Sequence, residues 1–558
     1  MNEHPDSSNQ ANIAHMLRKY SFLAGLLLLL HSVSFAQNSI FSRADTLRGT
    51  LSDERSSYDI NYYHLDISID IDKQFIRGSN LFRFTAISDI NKLQFDLFEN
   101  LNIDKIIYRG KEISYTREFN AVFIDFKDPV RKGTTDEFRV FYSGKPVIAQ
   151  TPPWDGGFTF SKDRQGKPWV SVSCQGLGAS SWWPNKDHQS DEADSMLISI
   201  TVPKGLMNVS NGRLRAIKEV GNTQTRYDWF VSYPINNYNV SLNIADYIHF
   251  GDSYRGEKGE LSLDYYVLRE NLEKARKQFA ANVKPMLKAF EYWFGPYPFY
   301  RDGYKLIETP YLGMEHQTAI AYGNKYKNGY AGRDLSESGY GLKWDYIIVH
   351  ESGHEWFGNN ISSKDIADMW IHEGFTMYSE VLYVESLEGK AAGTKYLKGL
   401  RNNIRNDKAI IGPYGVNMEG SGDMYYKGAN LVHMIRTLID NDQKWREILR
   451  GLNSSLGLKT TDTEEVIAFI NKASGKDFSK IFDQYLRYAD LPVLEYKREG
   501  NQVSYRWMAN VTDFDMPVRL INGKQSQWIY PRSEWKTLKS ASFNPDLDNF
   551  YFKTKMIQ

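Results

Sequence analysis

Two histidines four residues apart are the first candidates for chemistry in this sequence. His350 and His354 enclose Glu351 in the segment HESGH, which follows an apolar run beginning at residue 344. On a helix, residues four apart lie on one face about 5–6 Å from each other, so both imidazoles can reach one ion while Glu351 lies beside it. The spacing therefore predicts a metal site on a helix.

A carboxylate on the next predicted helix supplies a third ligand. Glu373 follows His354 with 18 residues between them, in the segment WIHEGF. Two neutral histidines and one carboxylate are a common ligand set for catalytic zinc, with water at the fourth position. A structural zinc needs four protein ligands, and the single cysteine, Cys174, excludes a cysteine-rich zinc ribbon. We therefore expect one Zn2+ per chain, held by His350, His354 and Glu373.

Hydropathy patterns divide the chain into three parts that must position these residues. From about residue 60 to 250 apolar residues alternate with polar ones, which is typical of half-buried strands in an antiparallel sheet. Between about 270 and 490 the apolar spacing is helical, and after residue 491 alternation returns. The helical spacing predicts helices over 272–290, 342–357, 368–387 and 429–438. A β domain, an α-rich domain with the metal site and a small β module are therefore expected.

Length and charge exclude several classes of protein. The chain has 558 residues, of which 41% are hydrophobic, and this is enough for several domains that each bury a core. Its 68 basic and 68 acidic residues give a formal net charge of zero. Because a neutral chain has no overall attraction to a polyanion, nucleic acid is not an expected partner.

The first forty residues predict export. Positive charge at Arg18 and Lys19 precedes a mostly apolar stretch from Ser21 to Ala36, which ends in small residues. This stretch is shorter than the roughly 20 apolar residues of a membrane-spanning helix. We expect a signal peptide over residues 1–36, with Met16 as the true start, and a periplasmic or extracellular mature chain without a membrane span. An uncleaved N-terminal anchor is the alternative.

The segments around the predicted metal site resemble those of the gluzincin aminopeptidases. The likeness rests on the HESGH and WIHEGF segments, with WFGN at 356–359 as a flank. Upstream, YLGMEH at 311–316 is similar to the family's GxMEN segment, which reads the free amino terminus of the substrate. YYKGA at 425–429 resembles the YxKG segment that carries the catalytic tyrosine, and the residues at 174–175 resemble a strand that adds a glutamine to the amine site.

The resemblance implies a multidomain α+β fold. Its N-terminal part is an antiparallel β saddle or sandwich, its middle part a thermolysin-like, mainly α catalytic domain, and its last part a short β module. The expected ranges are 1–36 for the signal peptide, 37–253 for the β domain, 254–490 for the zinc catalytic domain and 491–558 for the C-terminal module.

The resemblance also implies a role for each site residue. In an exported zinc aminopeptidase, the metal activates a water molecule and Glu351 takes its proton as general base. The hydroxyl of Tyr425, rather than that of its neighbour Tyr426, then stabilises the oxyanion.

Recognition of the substrate amine falls to a second group of residues. Glu315 is expected to pair with the ammonium of a peptide that has a free N-terminus, and Gln175 to assist it as an acceptor. Gly313 and Met314, which precede Glu315, are implied as further substrate-binding residues.

Departures from the family pattern leave alternatives open. His316 stands where the family has asparagine, and the sequence ends soon after the catalytic region, which implies a short form without the large helical domain of many relatives. An open cleft also fits a zinc endopeptidase or a dipeptide-releasing enzyme. A catalytically silent peptide-binding protein is less consistent with retained Glu351 and Tyr425. Glu380 is either an orienting residue or a solvated helix acid, and His372 is expected to pack or lie on the surface.

Overall fold

The computed structural model describes residues 41–540 and 542–558. The predicted signal peptide lies outside the described residues. The chain divides into two compact units, Met1–Thr46 and Leu47–Gln558. Of the first unit only residues 41–46 are described, and they include the start of helix α1 (Arg43–Gly49).

Strands dominate the first part of the second unit, as the alternating pattern predicts. These strands are β1 (Tyr58–Asp70), β2 (Phe75–Ala86), β3 (Ile90–Asp96), β4 (Leu101–Tyr108), β5 (Lys111–Ile113), β6 (Thr116–Glu118), β7 (Ala121–Val130), β8 (Thr135–Gly144), β9 (Gly157–Lys162), β10 (Pro168–Ser173), β11 (Ser195–Pro203), β12 (Met207–Val209), β13 (Arg213–Val220), β14 (Gln224–Val231) and β15 (Asn243–Ala245). They form an eight-stranded sheet in the order β13-β14-β11-β1-β2-β8-β4-β5 and two smaller sheets, β12-β15-β10-β9 and β3-β7-β6. Most pairs are antiparallel, but β1 and β11 run parallel.

A mixed sheet connects this β domain to the helices. It has the order β16-β17-β18-β20-β19. Its strands are β16 (Tyr247–Gly256), β17 (Gly259–Leu268), β18 (Tyr304–Glu308), β19 (Gly313–Met314) and β20 (Ile320–Tyr322). Strand β16 includes residues 253 and 254, between which the sequence predicts the domain boundary. The position of that boundary stays a prediction.

The α-rich part has helices close to those predicted. They are α3 (Leu272–Phe294), α4 (Tyr346–Gly353), α5 (Trp370–Glu388), α6 (Lys390–Leu400), α7 (Tyr426–Ile439), α8 (Asp442–Leu456), α9 (Thr463–Ser474) and α10 (Ser479–Arg487), while a short helix α2 (Asp53–Ser56) precedes β1. The helix predicted over 342–357 is shorter in the structure. It begins after Asp345, whose side chain caps it, and the chain leaves helical geometry at Phe357 and at Gly358, which has φ 131°.

Residues 314–320 do not form one continuous strand. Strand β19 ends at Met314, and residues 315–319 form a buried loop before β20. The loop turns where the N–H of Ala319 donates to the carbonyl of His316, and Thr318 has φ 55°. A side chain in this loop can therefore point into a cleft rather than across a sheet.

The C-terminal β module completes the predicted α+β order, which is confirmed. Its strands are β23 (Val493–Glu499), β24 (Gln502–Met508), β25 (Val518–Asn522), β26 (Gln525–Ile529), β27 (Lys536–Lys539) and β28 (Lys553–Met556), and a small parallel pair, β21 (Ile361–Ser363) and β22 (Lys459–Thr461), lies earlier in the chain. Trp507 and Phe550 of the module belong to the same buried cluster as the helices, whereas the N-terminal β domain has its own. In the described part of the chain, no helix combines the length and apolarity that a membrane crossing requires.

Candidate active site

Helices α4 and α5 bring the three predicted metal ligands together. His350 Nε2 lies 3.6 Å and His354 Nε2 lies 3.4 Å from Glu373 Oε2. All three side chains are buried, and one ligand atom from each falls within 4.8 Å of the other two. This is the arrangement that the two sequence segments predict.

The surroundings of these side chains suit a bound Zn2+ ion. His350 Nδ1 contacts Glu380 Oε1 at 2.7 Å, and His354 Nδ1 contacts the carbonyl of Phe357 at 3.0 Å. Because the Nδ1 atoms are engaged, both Nε2 atoms are left for a metal. Among the residues that the structure describes, none donates a hydrogen bond to the buried Oε2 of Glu373. A cation between these atoms would satisfy all of them.

Two alternatives that the sequence left open are decided by burial. Glu380 is fully buried and also accepts a hydrogen bond from the Tyr396 hydroxyl at 2.6 Å. The alternative of a solvated helix acid is therefore wrong, and Glu380 orients His350. His372 is fully buried as well, and its Nε2 accepts the Ser363 N–H at 2.8 Å. His372 is thus a packing residue rather than a ligand.

Glu315 lies in the same cleft with two donors on its carboxylate. Gln175 Nε2 donates to Glu315 Oε1 at 2.6 Å, and the Tyr238 hydroxyl donates to the same oxygen at 3.0 Å. Gln175 was expected as an acceptor toward the substrate, but here its amide N–H positions Glu315 instead. Tyr238 belongs to the N-terminal β domain, and no motif in the sequence distinguishes it from the other 35 tyrosines.

A hydrogen bond to its backbone holds the loop that carries Glu315. Asn359, in the WFGN segment, donates to the Glu315 carbonyl at 2.8 Å and accepts from Asn239 Nδ2 at 2.8 Å. Gly313 allows β19 to pass directly over α4, because a Cβ at this position would lie 2.8 Å from Glu351 Oε1. The glycine of the GxMEN-like segment is therefore required for a close approach.

Tyr425 enters the cleft from the residue before α7. Its ring centroid lies 6.2 Å from that of His350, whereas Tyr426 is not part of the cleft lining. The rest of the YxKG-like segment holds this geometry. Lys427 Nζ donates to the carbonyls of Tyr488 and Ala489 at 3.0 and 2.9 Å.

Close packing of two glycines brings α7 against α5. A Cβ at Gly428 would lie 3.0 Å from the Cα of Gly374, which directly follows Glu373. The helix that carries the third ligand and the helix that begins after Tyr425 are therefore locked together at this point. Larger side chains at either glycine would separate Tyr425 from the ligand set.

Burial is the largest cause of the pKa shifts of the acidic side chains Glu351 and Glu315. Burial raises the pKa of Glu351 to about 7, although the neighbouring His350 opposes the shift. Burial likewise raises the pKa of Glu315. Burial and the nearby Glu373 carboxylate hold the pKa of Tyr425 well above its usual value, so its hydroxyl keeps its proton and can donate a hydrogen bond.

All nine predicted site residues line one cleft of about 550 Å³. They are Gln175, Gly313, Met314, Glu315, His350, Glu351, His354, Glu373 and Tyr425. The cleft also includes residues that sequence analysis missed, among them Trp154, Lys408 and the segment 417–420. They lie in loops, which carry no periodic pattern.

His316 takes no part in the lining of this cleft. It is fully buried, its ring nitrogens have no hydrogen-bond partner in the described chain, and burial lowers its pKa to about 3. The imidazole is therefore neutral at physiological pH. The histidine that stands in place of the family's asparagine therefore adds no group to the lining of the cleft.

Comparison with known proteins connects this geometry to a family. The profile of the peptidase family M1 domain matches residues 279–485. The chain is 21% identical over 526 residues to "Probable aminopeptidase 1" of Sulfurisphaera tokodaii, covering 88% of this chain and 63% of that protein. It is 24% identical to the leukotriene A-4 hydrolase of Xenopus laevis, covering 74% of this chain and 68% of that protein. The chain thus spans less than two thirds of the first relative.

A solved structure has a similar fold. It is a mutant M1 zinc metallopeptidase from Deinococcus radiodurans bound to a Tyr-Ser-Ala substrate, with a TM-score of 0.63 at 18% identity, covering 77% of this chain and 94% of that one. Its likeness supports the fold, while the profile match spans α4, α5 and α7 and so includes the three candidate ligands and Tyr425. The match over residues 279–485 and these relatives support the gluzincin aminopeptidase family, peptidase family M1, that the motifs of the chain resemble.

Proposed function

We propose that this protein is a zinc-dependent aminopeptidase that removes residues from the N-termini of peptides. The observation that carries the proposal is the buried Glu315 carboxylate, 2% exposed, in the same cleft as the three-ligand set. A carboxylate held there by Gln175 and Tyr238 suits the ammonium of a peptide N-terminus. The anchor limits how much of the peptide extends past the metal, so cleavage occurs at the first bond.

His350, His354 and Glu373 would hold the zinc ion that is the cofactor of the family. When bound, Zn2+ supplies a Lewis acid that polarises the scissile carbonyl and acidifies water. Glu351 takes a proton from the attacking water and passes it to the leaving amine. Its pKa of about 7 suits both steps near neutral pH. The protonated Tyr425 hydroxyl donates a hydrogen bond to the developing oxyanion.

The names of two similar proteins are consistent with an aminopeptidase but specify no preferred first residue. The relative in Sulfurisphaera tokodaii is named as a probable aminopeptidase, and the structural neighbour holds a tripeptide substrate. Because this chain spans only part of the first relative, its own activity needs a direct test.

The test uses the purified chain and one peptide in two forms, with a free and with an acetylated N-terminus. The two are mixed in equal amounts and followed by mass spectrometry, with zinc and with a chelator. We expect stepwise shortening of the free form alone, abolished by the chelator. Internal cleavage of both forms would identify an endopeptidase instead, and release of residue pairs a dipeptide-releasing enzyme. Absence of cleavage would support a silent peptide-binding protein.

We also propose that the mature chain is exported. The support is the charged and apolar pattern of residues 16–36 in the sequence. Mass spectrometry of the N-terminus after cell fractionation tests this proposal. A mature chain beginning just after Ala36, outside the cytoplasm, is expected, and a full-length cytoplasmic chain would contradict it.

A further inference from the structure

A fourth carboxylate, that of Glu419, lies in the cleft and has no role in the proposed reaction. Its side chain lines the cleft beside Gln175 and Gly176, and its Oε1 lies 4.0 Å from the position that a Cβ at Gly176 would take. Over the described ranges of the chain, no hydrogen bond or ion pair engages this carboxylate. It is therefore free to bind a group on the substrate.

The segment that carries Glu419 is held in place by its backbone. The N–H of Ser421 donates to the carbonyl of Ala409 at 2.8 Å. The preceding residue, Gly420, packs so closely against Ile410 that a Cβ on it would collide with the Ile410 carbonyl. These contacts fix the backbone directly after Glu419, which limits where its carboxylate can lie.

The charges in the cleft leave Glu419 in need of a cation. In the proposed complex the metal neutralises Glu373, and the substrate ammonium neutralises Glu315. Burial, together with repulsion from these two acids, raises the pKa of Glu419 to about 7, although attraction from Lys408 opposes the shift. Lys408 also lines the cleft, but it is exposed, and no ion pair joins it to Glu419 in the part of the structure described.

We propose that Glu419 selects peptides whose first residue has a cationic side chain, arginine or lysine. This inference rests on the proposed aminopeptidase function. Glu315 and Gln175 mark the position of the substrate's ammonium, and Glu419 stands next to Gly176, one residue further along the same wall. A long side chain from the anchored residue can therefore reach Glu419. A partly buried carboxylate forms strong, charge-assisted hydrogen bonds with a guanidinium or ammonium group.

The experiment compares two peptides that differ only in their first residue, arginine or citrulline. Citrulline has nearly the shape of arginine but no charge. We expect the wild-type protein to prefer the arginine peptide by about tenfold or more in kcat/KM. Glu419→Gln should bring this ratio close to one by slowing only the arginine peptide. Glu260→Gln, at an exposed position on β17, is the matched control and should keep the wild-type ratio.

Other outcomes overturn the inference in distinguishable ways. An unchanged ratio in Glu419→Gln, or equal losses on both peptides, would refute selection by Glu419. Wild-type cleavage of both peptides at similar rates would refute the preference but keep the aminopeptidase. Cleavage of neither would refute the proposed function and the inference with it. Glu419→Asp keeps the charge and should retain part of the preference, which guards against a Gln variant that simply folds poorly.

Discussion

His350 and His354 each use one ring nitrogen for the protein and leave the other to the cleft. The Nδ1 contacts with Glu380 and with the Phe357 carbonyl set the direction of both rings. Glu351 lies on the same helix but under the close backbone of Gly313, which keeps its carboxylate beside the ligand set. At this scale the site separates residues that would hold the metal from one that would move a proton.

Replacing the proposed general base tests that separation. Glu351→Gln should lower kcat/KM by about 10²–10⁴-fold, since the amide cannot accept the proton of the attacking water. Zinc content, measured by elemental analysis, should stay at the wild-type value because the three ligands are unchanged. A variant that loses zinc along with activity would contradict the assignment.

Glu380→Gln tests the residue that orients His350. Loss of the charged acceptor should weaken zinc affinity by about 10–100-fold, measured by competition with a chelator. At saturating zinc, most of the activity should return. Glu388→Gln on the exposed end of the same helix is the control and should leave the affinity unchanged. Equal affinities in all three proteins would show that Glu380 does not support the ligand.

At the scale of elements, the site depends on where α4 begins. Asp345 caps this helix and accepts hydrogen bonds from Gln278, Tyr322 and Asn324 at 2.7–2.8 Å. These contacts tie the start of α4 to α3 and to β20. The glycine pair 374 and 428 then sets α5 against α7. Caps and glycine contacts, rather than helix propensity, therefore define the relative positions of the ligand helices.

Asp345→Asn gives a pH-dependent test of the cap. Burial raises the pKa of Asp345 to about 6, so the folded state binds its proton more tightly than the unfolded state. The stability that this group contributes is therefore fully present at low pH and falls as pH rises from about 4 to 6. Asparagine does not titrate, so the free energy of unfolding of the variant lacks this pH-dependent contribution.

We accordingly expect the variant to melt at a lower temperature than the wild type, with a larger gap at pH 4.5 than at pH 7. The side-chain amide also places an N–H against donors that Asp345 now accepts from, which adds a loss of about 1–3 kcal/mol at both pH values. Melting curves at the two pH values measure the gap. A gap that widens with rising pH would contradict the cause given.

At the scale of the whole molecule, the cleft is built by two parts with separate cores. Gln175 and Tyr238 come from the N-terminal β domain, and Glu315 comes from the loop before β20. The candidate metal ligands belong to the helices, whose buried cluster extends into the C-terminal β module. In the proposed function, recognition of the substrate amine would therefore need the β domain, while the candidate metal ligands do not include its side chains.

Tyr238→Phe tests whether the β domain serves recognition of the substrate amine but not metal binding. Removing the hydroxyl takes one hydrogen bond from the buried Glu315 carboxylate, so KM for a peptide with a free N-terminus should rise by about tenfold. Zinc content should not change, since Tyr238 is no ligand. Tyr247→Phe, which removes a buried hydroxyl bonded to the Glu308 carbonyl instead, is the control. A KM equal to that of the wild type would contradict the role of the β domain.

The candidate ligand set, the order of β and α parts and the resemblance to the family were all predictable from the sequence, because they depend on short-range spacing and on hydropathy periods. The distance between His350 and His354 along a helix, for instance, needs no long-range contact. The same local signals say nothing about the path of residues 315–319, a buried loop with a positive φ at Thr318.

Which distant residues share the cleft depends on the packing of the folded chain. Tyr238 and Glu419 carry no local signal, and the role of Glu380 was left open, since a buried acid or tyrosine has the same sequence appearance as a solvated one. Their positions follow from contacts between segments far apart in the chain, such as Tyr238 with Glu315. The physical reason is that pairing and burial are properties of the packed molecule, whereas spacing and composition belong to the chain.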